Sequence, residues 1–166
     1  MTGFAPNTVT ELNTEARPAY SSTGLRIEIP LIKVNAPVVG VQLESGSWDV
    51  SWLQNQVGWL NGTAYPTWTG NSVLMGHTVN AVGGPSVFSN LKGLNSGEFI
   101  FVHDKGYRYT YKVESNKSVR PNDISVLKHE EKAYLTLITC DLYDEKAETY
   151  LRRIVVRAVL VDVREE

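Results

Sequence analysis

The sequence predicts a mostly β domain, a closed barrel or sandwich with short helices in the connections. Three observations carry that reading. From Leu25 onward, short runs rich in Val, Ile, Tyr and Thr alternate with Gly, Pro, Asn and Asp punctuation, which is how strands separated by turns are written. Helical periodicity is weak and confined to two stretches. The chain has 166 residues, enough for one compact domain that needs no disulfide or metal to hold it together.

In chain order, residues 1–24, "MTGFAPNTVTELNTEARPAYSSTG", are rich in Thr, Ser, Asn, Ala and Pro without periodicity, so they are expected to form a tether or an arm on the surface. Residues 25–166 form the domain proper. Its strand candidates are "LRIEI", "APVVGVQ", "SVLMG", "EFIFVH", "YRYTYKV", "YLTLIT" and "RIVVRAVLVDV", seven or eight in all. The helical candidates are "WDVSWLQNQVGWL", around residues 48–60, and a short turn near "PSVFSNLKGL". No internal repeat is present.

Composition excludes several function classes. With 16 basic and 18 acidic residues interspersed, the net charge is −2, and no concentrated positive patch is available for nucleic acid or anionic lipid. No apolar run approaches the roughly 20 residues that span a bilayer, and the N-terminus lacks the charged and apolar blocks of a signal peptide, so the chain is expected to be soluble. The single cysteine cannot form an internal disulfide and must be judged by its surroundings.

That cysteine, Cys140, lies where the "YLTLIT" strand pattern ends. Side chains alternate along a strand, so Leu135, Leu137 and Thr139 share one face and look like core, while Tyr134, Thr136, Ile138 and Cys140 share the other, suited to the floor of a shallow groove. In the last strand Arg153, Val155 and Arg157 share a face. If that strand pairs with the Cys140 strand, a guanidinium can project towards the same groove, and the loop from Asp141 to Arg152 is short enough to allow it. A nucleophilic thiol needs a base or cation nearby, because the thiolate is the reactive form. Of the three histidines, His77 follows an apolar strand and a glycine in "SVLMGHTVN", whereas His103 and His129 read as solvated surface positions. Taken singly, each feature has an ordinary explanation: a lone cysteine is most often a small buried hydrophobe, a lone histidine structural, an arginine pair a solvated edge. The histidines are too far apart for a metal site, and neither HExxH nor CxxC occurs, so no metal and no cofactor is expected.

Together these residues resemble a known family. "TLITC" at 136–140, the Gly-His pair at 76 and 77, and the arginine following the cysteine are similar to the sortases, bacterial cysteine transpeptidases. The resemblance extends through "GHT", "FSNLKGL", "YRYTYKV", "VRPNDISVL", "TLITCDLYDEK" and "RIVVRA", covering most of residues 25–163. The C-terminal half is similar to class A sortases; "VGWLNGTAYPTWTGNSVLMGHT" is similar to classes D and E.

The resemblance implies a closed eight-stranded β-barrel that cleaves an LPxTG-like sorting signal between Thr and Gly. By that resemblance Cys140 forms the thioester acyl-enzyme, His77 is general acid and then base, and Arg153 stabilises the oxyanion, with Arg152 the alternative disfavoured by strand parity. Val126, Leu127, Ile138 and Thr139 fall on substrate-binding positions. The implied partners are the sorting-signal peptide of a secreted protein and an amine acceptor, either a peptidoglycan peptide or a pilin lysine. The implied location is the extracellular face of the bacterial cell membrane, as an ectodomain trimmed of its anchor. Calcium dependence, known in some class A sortases, is not expected: the segment 42–75 offers only Glu44 and Asp49, and the later loop Glu130 and Glu131, against the about six oxygens a hard cation takes. Two other functions fit a Cys/His barrel. An L,D-transpeptidase or papain-like hydrolase would need Ser-x-Gly-Cys or Cys-Gly-Ser-Cys-Trp contexts, which are missing. A non-catalytic peptide-binding module would use Tyr107, Tyr109 and Tyr111, more simply one face of a strand.

Overall fold

In a computed structural model, residues 3–166 are described; Met1 and Thr2 of the expected arm lie outside the described residues. Eight strands close a barrel: β1 (Ser21–Ile29), β2 (Val34–Val41), β5 (Val57–Leu60), β6 (Gly70–Met75), β7 (Phe99–Asp104), β8 (Tyr107–Val119), β9 (Ala133–Asp144) and β10 (Thr149–Glu165). A two-stranded ribbon, β3 (Leu43–Glu44) and β4 (Ser47–Trp48), stands apart. Around the barrel the order is β1-β2-β5-β6-β9-β10-β8-β7, and closure leaves no long edge to aggregate. Helix among the described residues is limited to short 3₁₀ turns, among them Leu91–Gly93 and Ile124–Leu127.

The neighbours of β6 decide where a site can form. β6 runs parallel to β9, in register from Gly70↔Ala133 to Met75↔Ile138. Strands in a parallel pair are commonly covered on both faces, and here both are. Inward, Leu74, Leu135 and Leu137 join Ile27, Ile100, Tyr111 and Val156 in the barrel core. Outward, Val73, Ile138 and Val155 form a second cluster with Val41, Val50, Leu53 and Leu60, against which Met75, Val126 and Leu127 pack. The Ile138 face is thus a covered floor, buried at Thr136 and Ile138, rather than the mixed surface that strand parity suggested.

Two elements differ from expectation. Residues 48–60 form no helix: β4 ends there, a turn follows with Gln54 at φ 52, and β5 pairs in parallel with β2. Val50, Leu53, Val57 and Leu60 are all buried, so their helix-like spacing is used by a turn feeding a strand. The backbone satisfies itself on the barrel, which outweighs a weak local preference. Nor does β9 stop at Cys140. The ladder continues through Arg152↔Asp141 and Tyr150↔Tyr143 to Thr149↔Asp144, so the supposed loop is mostly hairpin. Leu142 with φ 56 breaks the alternation, and with Leu151 it is exposed, which is why the sequence there reads as loop.

Candidate active site

Cys140 has a partner on each side. Across the antiparallel β9–β10 ladder it lies directly opposite Arg153. Residues so placed have Cβ atoms about 5 Å apart on one face of the sheet. On the other side the β6–β9 ladder ends at Met75↔Ile138, and two bonds carry the chains one step further: Gly76 N donates to Ile138 O at 3.2 Å, and Thr139 Oγ1 donates to Gly76 O at 2.8 Å. His77 therefore leaves β6 alongside Cys140. Gly76 must be small, because a Cβ there would come within 2.7 Å of the Phe88 ring and 2.8 Å of Val87.

The imidazole is fixed from the segment before β5. His77 is 4% exposed, and its Nε2 lies 2.7 Å from the Val50 carbonyl oxygen. A carbonyl only accepts, so Nε2 carries the proton and Nδ1 is left as the basic nitrogen. Burial lowers the His77 pKa below its ordinary value, partly offset by the bond to Val50. Burial also raises the Cys140 thiol, opposed by the Arg153 guanidinium. Both shifts favour the neutral forms, a thiol and an imidazole between which a proton can pass.

The two arginines are held differently. The Arg152 guanidinium donates to Ser118 Oγ at 2.9 Å and Ser118 O at 2.7 Å, which commits it to β8. Arg153 Nη1 donates to the Arg152 carbonyl at 3.0 Å. Arg157, on the Arg153 face, pairs with Glu130 at 2.8 Å and lies over the Tyr134 ring at 4.4 Å.

Val126 and Leu127, on the turn Ile124–Leu127, are half-buried against the cluster that contains Ile138. Thr139 is buried, its hydroxyl committed beneath His77, so it meets the site through the backbone. His103, read as solvated, is largely covered and lies 2.9 Å from Glu166 and 4.0 Å from Glu28. His129 is exposed. Neither approaches Cys140 in the ladders.

Four residues that sequence reasoning missed shape the site. Val50 orients the imidazole. Asn71, buried in β6, donates to the Val126 and Lys128 carbonyls at 2.9 Å each and accepts from Thr136 Oγ1 at 2.6 Å, pinning the turn that carries Val126 and Leu127. A buried asparagine in an otherwise apolar strand was the available signal. Phe4 covers the imidazole, and Tyr150 lies beside the thiol. Phe4, 3% exposed, packs against the His77 ring at 4.9 Å with the rings tilted by 49°, and its carbonyl accepts from the Tyr150 hydroxyl at 2.6 Å. Tyr150 is pushed up to about 12 by burial and by its neighbours Cys140 and Tyr143, so it acts as a donor.

Among the described residues no group of three or more His, Cys, Asp or Glu side chains could hold a metal ion. A surface cleft of about 680 Å³ between residues 17–26 and β2 contains none of these residues.

A barrel of this topology with cysteine, histidine and arginine on neighbouring strands can be compared with known proteins. Residues 27–161 match the model of the Sortase domain family. The chain belongs to the sortase family. Sortase A from Bacillus anthracis is 29% identical over 130 residues, 76% of this chain and 56% of that protein. Sortase A from Staphylococcus aureus is 35% identical over 68 residues, 40% of this chain and 33% of that protein. The chain thus matches about half the length of the first relative and a third of the second. Among solved sortases, a lid mutant of sortase A from Corynebacterium diphtheriae superposes with TM-score 0.71 at 29% identity, covering 88% of this chain and 73% of that one.

Proposed function

We propose that this sortase-family chain is a cysteine transpeptidase that cleaves an LPxTG-like sorting signal between Thr and Gly and passes the acyl group to an amine. The observation that carries the reading is the register: Arg153 opposite Cys140, and His77 emerging beside it.

In that reaction the Cys140 sulfur attacks the threonine carbonyl carbon while its proton passes to His77 Nδ1. The carbonyl oxygen becomes an oxyanion, which Arg153 stabilises by charged hydrogen bonds. Collapse breaks the Thr–Gly C–N bond, and His77 returns the proton to the departing glycine amine. The thioester is then attacked by an acceptor amine. His77 removes the amine's proton, the C–S bond breaks, and the thiol is restored. Val126, Leu127 and Ile138 offer an apolar surface for the signal's Leu-Pro end. The sorted protein is secreted, the acceptor is a peptidoglycan peptide or a pilin lysine, and the work is done at the bacterial cell surface.

Intact-protein mass spectrometry tests this reading. Mixed with an LPxTG peptide, the chain should gain the mass of the acyl part, and Cys140→Ala should gain nothing and release no glycine peptide. Cleavage by Cys140→Ala would exclude the mechanism.

A further inference from the structure

The loop before β6 presents a tryptophan that the chemistry at Cys140 does not use. Trp68 is 66% exposed, whereas Trp48, Trp52 and Trp59 are half-buried. A bare indole forgoes the stabilisation that its burial would bring, so its exposure asks for a reason. The backbone beside it is strained as well. Thr67 has φ 83, the one β-branched residue at positive φ among the described residues, in a region such side chains avoid. Strain of this kind persists only where the surroundings over-determine it, and it gathers at functional sites.

The surroundings do over-determine it. Thr67 N donates to the hydroxyl of the fully buried Tyr111 at 3.1 Å, and Trp68 N donates to Tyr65 O at 3.0 Å. Ala64 is held twice, its N donating to Asn71 O at 3.1 Å and its O accepting from Trp59 Nε1 at 3.0 Å. Three rings form a chain from core to solvent. Trp59 meets Tyr65 edge-on at 5.0 Å, and Tyr65 meets Trp68 at 5.3 Å with the rings tilted by 54°. The first two pack against the barrel core. Trp68 is thus fixed in orientation before any ligand arrives, which lowers the entropy lost on binding. It stands at the Gly70↔Ala133 end of the β6–β9 pair, roughly 20 Å along the strand from His77.

Three features select the ligand. The indole lies outside the clefts of about 680, 450 and 250 Å³, so it offers a ring surface and no pocket for a peptide side chain. A single exposed ring also falls short of the several that enclose an organic cation. Residues 61–70, "NGTAYPTWTG", carry no charge, and the neighbours of Trp68 in sequence are the half-exposed Thr67 and the exposed Thr69. A pyranose fits these terms. The C–H groups on one face of the sugar meet the electron-rich face of the indole, while its hydroxyls bond threonine hydroxyls and water. We propose that Trp68 is the platform of a second, non-catalytic site that takes an uncharged pyranose ring of a polysaccharide. Such a site holds the enzyme on a wall polymer while Cys140 works at the other end of β6, raising the local concentration of wall-borne acceptors. That consequence rests on the acyl-transfer reading above; the binding itself does not.

The test titrates the full chain with chitohexaose and with cellohexaose, both uncharged and β-linked, in the absence of donor peptide. In ¹H–¹⁵N spectra the chain's four tryptophans give separate indole N–H signals. The one that Trp68→Ala removes should shift with at least one of the two sugars. Trp68→Ala should weaken binding at least about tenfold and Trp68→Phe about threefold, since the smaller ring keeps part of the surface. Both variants should melt within about 2 °C of wild type, as expected of an exposed side chain. No shift of the Trp68 signal with either sugar at about 10 mM would overturn the proposal, and equal binding by Trp68→Ala would place the sugar elsewhere. Wild-type binding to phosphatidylcholine vesicles and to neither sugar, lost in Trp68→Ala, would make the ring a membrane contact instead. A raised KM for an LPxTG peptide in Trp68→Ala, without sugar binding by the wild type, would put the ring on the donor's path. Because sugar binding is read without the donor, failure of the chain to cleave the peptide would remove the transpeptidase reading and leave the sugar site standing.

Discussion

Replacing each of the two adjacent arginines by alanine separates the guanidinium proposed to meet the oxyanion from the one bound to β8. Arg153 is opposite Cys140, and its guanidinium is anchored by one bond to the neighbouring Arg152 carbonyl at 3.0 Å. Releasing that bond in favour of an oxyanion costs about 1 kcal/mol, while a charged donor to the oxyanion is worth about 2.7–4 kcal/mol, so the gain survives the exchange. Arg153→Ala is therefore expected to lower turnover by about a hundredfold to a thousandfold with KM little changed, because the charge it meets exists only in the transition state. Arg153→Lys should rescue poorly, since it keeps the charge and loses the fork of donors. Arg152 instead makes two exposed bonds to Ser118, at 2.9 and 2.7 Å. Arg152→Ala is expected to cost at most about 1 kcal/mol of stability and to change turnover by about threefold or less. Steady-state kinetics on one fluorogenic signal peptide give both numbers. The reverse ranking would refute the assignment, and with it the argument that the partner of Cys140 in the ladder is the residue that meets the oxyanion.

Three further outcomes are expected. Asn71→Leu leaves two carbonyls and the Thr136 hydroxyl without their partner; it should destabilise the protein by roughly 2–4 kcal/mol and raise KM for the signal peptide more than it lowers kcat, measured by denaturant melts and kinetics. His77 resists protonation in the folded state, its pKa lying below the ordinary 6.5 because of burial. Its contribution to stability is complete above that unfolded value and drains away as the pH falls below it, so melting temperature should drop on acidification from pH 7 to pH 5, and drop less in His77→Gln. Reaction rates with added calcium and with a chelator should agree within about twofold, or roughly 0.4 kcal/mol of barrier, and a tenfold loss on chelation would show a site that the sparse acids do not suggest.

Seven of the barrel strands were legible as runs of Val, Ile, Tyr and Thr between turn residues, because period-two burial writes itself into composition. The missing strand, Val57–Leu60, was hidden inside an apolar spacing that fits a helix equally well. Only its parallel pairing with β2, a contact local sequence does not encode, resolves that ambiguity. Cys140, His77 and the arginines stood out as residue types, and strand parity distinguished Arg153 from Arg152. Parity works there because alternation is a local property of an extended chain.

What the tertiary structure decided are the relations between distant segments. The parallel register of β6 with β9 brings His77 to the thiol, and the Val50 carbonyl, on a segment whose spacing reads as helix, fixes which imidazole nitrogen is basic. The arm shows the contrast most clearly. Its composition predicts a surface tether, yet Gly3 and Phe4 settle on Cys140, His77 and Tyr150. Composition and periodicity report how a segment prefers to fold by itself. They carry no record of a contact made across 146 positions of sequence, such as Tyr150 with Phe4, because that contact exists only once the barrel has put both ends in place.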